Sequence, residues 1–291
     1  MSSIQIVIPF YNQRSFLEEC LRSVCEQEFQ DWEVVVVDDA SDEACEDILL
    51  RVDDRRVKLI RHPVNMGLAS ARNTGVKASA SPWILPLDSD DRLSPSFLRV
   101  TMSVAAQNPD VDAIFTDHLC FGEKSYVKKR YVQSAAEVLD HHSIPGAGTL
   151  YKRELWEKVG GYCESPLLRN GNEDWDFWLC AYEKGFTPFH IPNALYEYRR
   201  YQGSMVNRLQ MVDYKVRLFL YHRHRQLFEK YHMRSRFLAK GFENSARAAK
   251  VQGSLARAWI LSLVAIWFDL RNKKLIRFSL ELLKSFVVFP K

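Results

Sequence analysis

Five aspartates directly follow two strand-like segments of this sequence, and a Phe-Tyr-Asn triplet follows a third. They are Asp38 and Asp39 after residues 34–37, Asp88, Asp90 and Asp91 after residues 83–87, and Phe10, Tyr11 and Asn12 after residues 4–9. If these strands lie parallel in one sheet, their carboxyl ends form one edge, which is where open α/β sheets bind ligands. Because five carboxylates at one edge repel each other, we expect a hard divalent cation there, Mg²⁺ or Mn²⁺, which prefers oxygen ligands.

The spacing of Asp88 and Asp90 favours joint binding of that cation. Alternate residues of an extended segment point the same way, so both acids would face the ligand while Ser89 faces away. Magnesium is usually held by one or two carboxylates together with substrate phosphates. Neither Gly-x-x-x-x-Gly-Lys nor Gly-x-Gly-x-x-Gly occurs, so phosphate would be bound by the metal and by arginine. For Asp42 and Asp91, a role as helix cap or turn former is an equally open alternative.

Strand-like and helical segments alternate four times in the first ninety residues. The strand-like runs are 4–9, 32–37, 57–60 and 83–87, and helical spacing follows at 12–26, 42–50 and 68–78. Ser41 or Asp42 would cap the second of these helices. The alternation predicts an α/β fold, a mostly parallel sheet flanked by helices and joined by right-handed crossovers.

Beyond Pro95 the alternation is weaker. A helix to Gln107 is predicted there, and the other predicted elements are strands at 113–116, 126–131 and 196–199 and helices at 152–159 and 175–184.

Five motifs in a fixed order resemble family 2 glycosyltransferases. They are IQIVIPFYN at 4–12, VVVVDDASD at 34–42, NMGLASARNTG at 65–75, PLDSDDRL at 86–93 and GNEDWDFW at 171–178. The resemblance covers roughly residues 3–205. It implies a GT-A fold and an inverting enzyme that uses a nucleotide-sugar donor.

The resemblance also implies roles for single residues. Pro9, Phe10 and Tyr11 would line the base and ribose pocket, Asp39 would accept a hydrogen bond from the nucleobase, and Arg72 would lie near the nucleotide. Asp90 would ligate the metal, and Asp88 would contact the ribose or the metal and its water shell. Asp174 would be the catalytic base, beside Glu173 and Trp175, and Arg199, Arg200 and Ser204 would close over the diphosphate. A histidine that often follows the Tyr-Arg pair is replaced by Tyr201, so the arginines would bind more of the phosphate charge.

The chemistry implied is a single displacement. One carboxylate is enough to deprotonate an acceptor hydroxyl that attacks from the face opposite the leaving diphosphate. Trp175 either stacks on a sugar or belongs to the core of its helix, whereas Phe177 and Trp178 are expected in the core. Residues 146–149 (GAGT) either leave room for the acceptor or form a plain loop.

Charge divides the chain into two parts. Residues 205–291 contain 18 lysines and arginines against 5 acids, and residues 1–204 contain 22 against 31. We expect a catalytic domain at 1–204 and a basic amphipathic helical region at 205–291. That region is either a helical subdomain covering the core or a set of helices on an anionic membrane surface. Nucleic acid is not an expected partner, because the front part is acidic and carries no recognition motif.

The expected location is cytoplasmic. Peripheral binding to the inner face of the cytoplasmic membrane is left open. Six cysteines without a Cys-x-x-Cys pair suit a reducing compartment. The first residues lack the features of a signal peptide. The longest uncharged apolar run, 258–268, is eleven residues long, and a spanning helix needs about 20.

The resemblance therefore implies transfer of a sugar from a nucleoside diphosphate sugar to a hydroxyl of a saccharide or lipid-linked saccharide in surface polysaccharide synthesis. Uridine is expected because Asp39 could accept the N3–H of uracil; thymidine offers the same group, and guanosine needs a larger pocket. Nucleotidyl transfer is disfavoured because residues 9–15 contain only one basic residue, Arg14. A non-catalytic sugar-nucleotide-binding or scaffold protein of the same fold remains the alternative.

Overall fold

The computed structural model of the protein describes residues 2–130, 135–140, 144–169, 171–201 and 212–287, without the side chains of residues 135, 286 and 287. The chain divides into two compact units. The first takes the described residues of 1–138, 142–169 and 173–202, and the second takes those of 139–141, 170–172 and 203–291. The predicted boundary between residues 204 and 205, like Ser204 itself, lies outside the described residues and stays a prediction.

One mixed sheet organises the first unit. Its strands are β1 Ile4–Phe10, β2 Trp32–Asp38, β3 Val57–Arg61, β4 Trp83–Pro86, β5 Arg92–Leu93, β6 Ala113–Gly122, β7 Tyr126–Lys128, β8 Thr149–Lys152 and β9 Pro188–Arg200. The order is β3-β2-β1-β4-β8-β6-β9-β5, with β7 paired to β6. The first four strands are parallel, and β8 enters antiparallel between β4 and β6. The predicted α/β fold is confirmed.

Helices cover both faces of the parallel strands. Up to residue 185 the described helices are α1 Arg14–Cys25, α2 Glu46–Val52, α3 Leu68–Lys77, α4 Phe97–Gln107, α5 Ala135–Asp140, α6 Arg153–Val159 and α7 Glu173–Glu183. Apolar side chains of α1 and α4 pack with the isoleucines of β1 in one core cluster, and α3 packs on the opposite face. Gly75 permits this close approach, because a Cβ there would lie 2.3 Å from Cγ1 of Val7.

Several expected elements differ from the structure. The strand expected at 126–131 ends at Lys128. The last strand is longer than 196–199, because β9 pairs with β6 along ten residues. The helix expected at 175–184 begins at Glu173, which places Asp174 in its first turn. Capping of α2 by Ser41 or Asp42 is wrong, because that helix begins at Glu46 without a side-chain cap. Both residues take part in loop contacts instead: the Ser41 N–H donates to Asp38, and Asp42 accepts from Asn12.

The second unit is helical, as expected for the basic region. Its helices are α8 Asp213–Arg223, α9 Arg225–Lys230, α10 Arg234–Val251, α11 Leu255–Phe268 and α12 Lys273–Val287. Small and apolar residues of α10, α11 and α12 form its core, among them Ala246, Ala258, Ala265 and Leu282. Among the described residues, no helix has both the length and the apolar character that crossing a membrane requires.

Candidate functional site

The loops after β1 and β2 leave the same edge of the sheet side by side. Phe10 pairs with Asp38 in the strand register, so the chain segments that follow them are neighbours. The Asn12 N–H donates to the Ser41 hydroxyl at 3.0 Å, and its side chain exchanges two 2.9 Å hydrogen bonds with Asp42. Asn12 adopts φ 54°, a left-handed conformation that asparagine tolerates. These contacts fix the edge at which a nucleotide would bind.

Of the residues expected in the base and ribose pocket, only Tyr11 is exposed. Its side chain is 47% accessible, whereas Pro9 and Phe10 are buried in β1. Asp39 is also buried and accepts three hydrogen bonds of 2.8 Å, from the N–H groups of Met66 and Gly67 and from Nδ1 of His62. A carboxylate offers about four acceptor positions, so Asp39 retains about one beyond those that hold the loop before α3.

The Asp88–Asp91 segment is a turn, so the expectation of an extended Asp-x-Asp is wrong. The Asp91 N–H closes the turn on the Asp88 carbonyl at 3.0 Å. Asp91 is buried and accepts from the Tyr196 hydroxyl at 2.6 Å and from the Arg199 N–H at 2.7 Å. The third acid of the motif therefore attaches β9 to the site, while Asp88 and Asp90 remain partly exposed.

Asp90 lies in a polar, partly buried environment. Its Oδ2 accepts from Nε2 of Gln13 at 3.1 Å, and its carboxylate also hydrogen-bonds Tyr201. Burial and the charge of Asp88 raise the pKa of Asp90 to about 6. Two neighbouring carboxylates that disfavour each other's charge suit a hard cation with oxygen ligands. Sequence analysis missed Gln13, whose only signal was its place next to the Phe-Tyr-Asn triplet.

Arg72 connects the acidic turn to α7. Its buried guanidinium donates to Oδ1 of Asp88 at 2.9 Å and, through its other terminal nitrogen, to Glu173. Burial and the charge of Asp174 raise the pKa of Glu173, and Arg72 opposes that rise. Arg72 is 2% and Glu173 is 1% exposed, so both side chains are buried between the acidic turn and α7.

Asp174 occupies the first turn of α7, where the helix dipole favours a negative charge. Its Oδ1 accepts from the Trp175 N–H at 2.9 Å, and the residue is partly exposed. A Cβ on Gly146 would lie 2.1 Å from its Oδ2. Sequence analysis left two roles open for residues 146–149, room for the acceptor or a plain loop. The structure shows a further one, because Gly146 makes room for the Asp174 carboxylate.

Trp175 lies in the core. It is 3% exposed, and its indole N–H donates to the Val138 carbonyl at 2.8 Å. Phe177 and Trp178 are buried beside it. This placement favours the core alternative for Trp175 over stacking on a sugar.

The two expected phosphate arginines have different surroundings. Arg199 lies 4.7 Å from the ring centre of Phe16 and 4.4 Å from that of Phe121. It also donates to the Asp90 carbonyl at 2.7 Å and pairs with Glu19. Arg200 is exposed at the end of β9. Arg200 is therefore the better placed of the two to meet a diphosphate.

An α/β sheet with an Asp-x-Asp turn at its carboxyl edge, and a further carboxylate on a helix held to that turn, defines the class of GT-A glycosyltransferases. The family model described as glycosyl transferase family 2 matches residues 5–166. The chain belongs to this family, which confirms the prediction of a glycosyltransferase.

Two curated relatives show the extent of the similarity. A glycosyltransferase of Haemophilus influenzae is 30% identical over 200 residues, which are 66% of this chain and 66% of the relative. TuaG of Bacillus subtilis, described as a teichuronic acid biosynthesis glycosyltransferase, is 26% identical over 69% of this chain and 81% of its own length.

Solved structures share the fold at low sequence identity. TarS residues 1–349 of S. aureus, crystallised with UDP-GlcNAc, align with a TM-score of 0.68 and 16% identity over 91% of this chain and 81% of that one. The mannosyltransferase PcManGT of Pyrobaculum calidifontis, in complex with GDP-Man and Mn²⁺, aligns with a TM-score of 0.57 and 18% identity over 97% of this chain and 84% of that one.

Proposed function

We propose that this protein is an inverting, metal-dependent glycosyltransferase. It transfers a sugar from a nucleoside diphosphate sugar, with uridine as the nucleoside, to a hydroxyl of a saccharide or lipid-linked saccharide acceptor in surface polysaccharide synthesis. One observation carries the proposal: Arg72 bridges Asp88 of the acidic turn and Glu173, the neighbour of Asp174. This bridge fixes the distance between Asp88, on the donor side of the site, and Glu173, which precedes the base Asp174.

Asp90 and Asp88 would hold Mg²⁺ or Mn²⁺ at the acidic turn. The donor set is a pair of carboxylates at a partly exposed edge, which suits either ion. The Mn²⁺ in the PcManGT structure supports a divalent cation. When bound, such a cation supplies Lewis acidity toward the diphosphate oxygen on which negative charge develops.

The residues of the chain perform the displacement. An acceptor oxygen bonds to the anomeric carbon while the bond to the diphosphate oxygen breaks, and the electron pair leaves with the nucleoside diphosphate. Asp174 takes the acceptor proton. Because the reaction is a single displacement, the configuration at the anomeric carbon is inverted. Arg200 offers planar donors to the departing diphosphate. Tyr201 hydrogen-bonds Asp90 and Gln13 and so orients the metal ligand.

Uridine is favoured by the residues at the β1 and β2 ends. Tyr11 offers an exposed ring to a base, and Asp39 keeps one acceptor position for the N3–H of uracil. UDP-GlcNAc in the TarS structure supports the same choice. The polysaccharide acceptor is supported by the description of TuaG.

The second unit would place the enzyme at an anionic membrane surface. Ile260, Leu263 and Trp267 share one face of α11 and are 57%, 42% and 70% exposed, and Leu270 just beyond is 72% exposed. Arg271, Lys273 and Lys274 follow and are exposed. Exposed apolar side chains beside a group of cations suit the interface of an anionic bilayer.

The test is a panel of nucleotide sugars assayed for hydrolysis and for thermal stabilisation, each with and without Mn²⁺. We expect manganese-dependent stabilisation by UDP and turnover of at least one UDP-sugar. Asp174→Asn should bind UDP as the parent does but lose transfer by on the order of 10²-fold or more. Binding without turnover of any donor would favour the non-catalytic alternative, and a preference for guanosine would overturn the uridine assignment.

A further inference from the structure

His62 directly follows β3 and is held by its main chain and by both nitrogens of its ring. Its main-chain N–H donates to the Asp38 carbonyl at 2.8 Å. Nδ1 of the ring lies 2.8 Å from Oδ1 of Asp39, and Nε2 lies 2.9 Å from the Thr74 hydroxyl on α3. His62 is 6% exposed and Asp39 is 4% exposed. A buried imidazole with a partner on each side has one orientation, yet sequence analysis assigned His62 no role.

The hydrogen bonds around Asp39 determine where this ring carries its proton. The N–H groups of Met66 and Gly67 both donate to the Asp39 carboxylate, and an ionised carboxylate can only accept. Nδ1 of His62 must therefore carry a proton to bond Oδ1. In the neutral ring Nε2 is then an acceptor, and the Thr74 hydroxyl donates to it. A chain of hydrogen bonds thus runs from Thr74 through His62 to Asp39.

The two oxygens of Asp39 are not equally occupied. Oδ1 accepts from His62 and from the Met66 N–H, both at 2.8 Å, whereas from the described residues Oδ2 accepts one hydrogen bond, from the Gly67 N–H. Each carboxylate oxygen has two acceptor positions, so Oδ1 is filled and Oδ2 keeps the open position. Because the bond from His62 comes from a ring that is itself fixed at its far side, it holds the carboxylate against rotation. Oδ2 therefore stays the oxygen that a ligand meets.

An acceptor fixed in this way discriminates between bases. Uracil, thymine and guanine each present a ring N–H, which Oδ2 can accept. Cytosine presents an unprotonated ring nitrogen at the same place, and two acceptors repel each other. A carboxylate that is free to rotate loses this selectivity, because it can turn an oxygen toward the exocyclic amine of cytosine. The selectivity therefore depends on the group that holds Asp39 as well as on Asp39.

We propose that His62 is a positioning residue that determines base specificity, because it holds Asp39 with Oδ2 toward the ring N–H of the donor base. Thr74 orients the imidazole for this task. The inference rests on the proposed function, since it takes Asp39 as the residue that meets the nucleobase. It deepens that function by naming the group that excludes cytidine donors.

The test compares the affinities of UDP and CDP for the full chain saturated with Mn²⁺, measured by calorimetry. We expect the parent to bind UDP more tightly than CDP. His62→Leu should lower UDP affinity about tenfold or more, because a hydrogen bond to a charged group is lost. CDP affinity should fall much less, so the preference for UDP shrinks. In turnover the same variant should raise KM for the donor and leave kcat nearly unchanged.

Two conservative variants separate positioning from general support. In His62→Asn the amide nitrogen takes the place of Nδ1 and can still donate to Asp39, whereas in His62→Gln it takes the place of Nε2. We expect His62→Asn to retain most of the preference for UDP and His62→Gln to lose it as His62→Leu does.

His190→Leu is the matched control. Nε2 of His190 lies 2.8 Å from Oδ1 of Asp117, so this variant also removes a histidine–aspartate hydrogen bond. His190 lies near the start of β9, at the end opposite Arg200. The preference for UDP should be unchanged.

If His62→Leu does not fold, Thr74→Val tests the same chain of hydrogen bonds, because it removes only the hydroxyl that holds Nε2. It should lower the preference for UDP, though by less than loss of the ring would. An unchanged preference in Thr74→Val would then overturn the proposal.

Other outcomes would overturn it as well. A parent that binds CDP as tightly as UDP has no such selectivity, and equal losses of UDP and CDP affinity in His62→Leu would make the histidine a general support of its loop. Equal losses in His62→Asn and His62→Gln would show that the bond from Nδ1 does not matter. A loss of the preference in His190→Leu would show an effect that is not specific to Asp39.

Failure of the proposed function gives different results. If the parent prefers GDP, the uridine assignment fails, and the same variants are compared with GDP, whose N1–H is the equivalent donor. Binding of UDP without turnover of any donor would contradict the proposed catalysis alone. A parent that binds no nucleoside diphosphate would contradict both.

Discussion

Replacing Gly146 by alanine adds one methyl group against the side chain of Asp174. The new Cβ would lie 2.1 Å from Oδ2 and 2.7 Å from both Cβ and Cγ of Asp174. Real Cβ contacts essentially never fall under 3.0 Å, so the carboxylate must move by at least about 0.9 Å. The φ of Gly146 is not in the positive region, so the effect of alanine there is steric.

A displacement of that size has a predictable cost. Misplacing a catalytic group by about 1 Å can slow a reaction by about 10²-fold. We therefore expect Gly146→Ala to lower the transfer rate by on the order of 10²-fold, with unchanged manganese-dependent affinity for UDP. The transfer rate is measured with saturating donor, and UDP affinity by calorimetry.

A double-mutant cycle tests whether the effect is exerted through Asp174. In an Asp174→Ala background there is no carboxylate to displace, so adding Gly146→Ala should change the residual rate little. Full activity of the single Gly146→Ala variant would refute the assignment of Asp174 as the base. An equal loss in both backgrounds would show that the methyl group acts on something else.

Three further predictions follow from the same structure. Asp90→Asn should abolish manganese-dependent binding of UDP, because a charged ligand is lost; equal binding by variant and parent would contradict the metal assignment. Arg72→Gln should lower the free energy of unfolding by about 3–5 kcal/mol, because Glu173 stays buried without its cation. Arg99 forms an exposed pair with Glu28, so Arg99→Gln should lower it by at most about 1 kcal/mol. Both values are measured by denaturant unfolding. The full chain should co-sediment with anionic liposomes at low salt, since each basic residue near the surface contributes about 1 kcal/mol. Trp267→Ser should remove most of the liposome binding that persists at high salt. Absence of binding to anionic liposomes at low salt would contradict a membrane role of the second unit.

The core strands were predictable because their signal is local. Every residue of β1 is buried, and all of them except Gln5 are apolar, as is typical of a strand covered on both faces. The expected segments 4–9 and 32–37 therefore match β1 and β2 to within one residue. The ends of α2 and α7 were not predictable from the same patterns, because loop hydrogen bonds compete with capping. Asp42, for example, bonds the Asn12 side chain instead of starting a helix.

The types and order of the site residues were also present in the sequence. Asp90, Asp174 and Arg200 were named from motifs, and the structure leaves them partly or fully exposed at the site. The sequence could not separate ligand-facing acids from structural ones. Asp91 looks like Asp88 and Asp90 in a motif, yet it is buried and holds β9 in place. Asp39 is also buried, and it holds the loop before α3 while one of its acceptor positions stays open.

The sequence by itself determined the family, the alternation of strands and helices and the identity of the acids, since each of these depends on residue type and short-range spacing. Only the tertiary structure decided which groups meet. Arg72 contacts Glu173 across 101 residues, and Gly146 lies against Asp174. The Arg130 N–H meets the Asp117 carboxylate only because the chain after β7 runs back along β6. Burial and pairing of charges are properties of the folded chain, and no linear pattern encodes them directly.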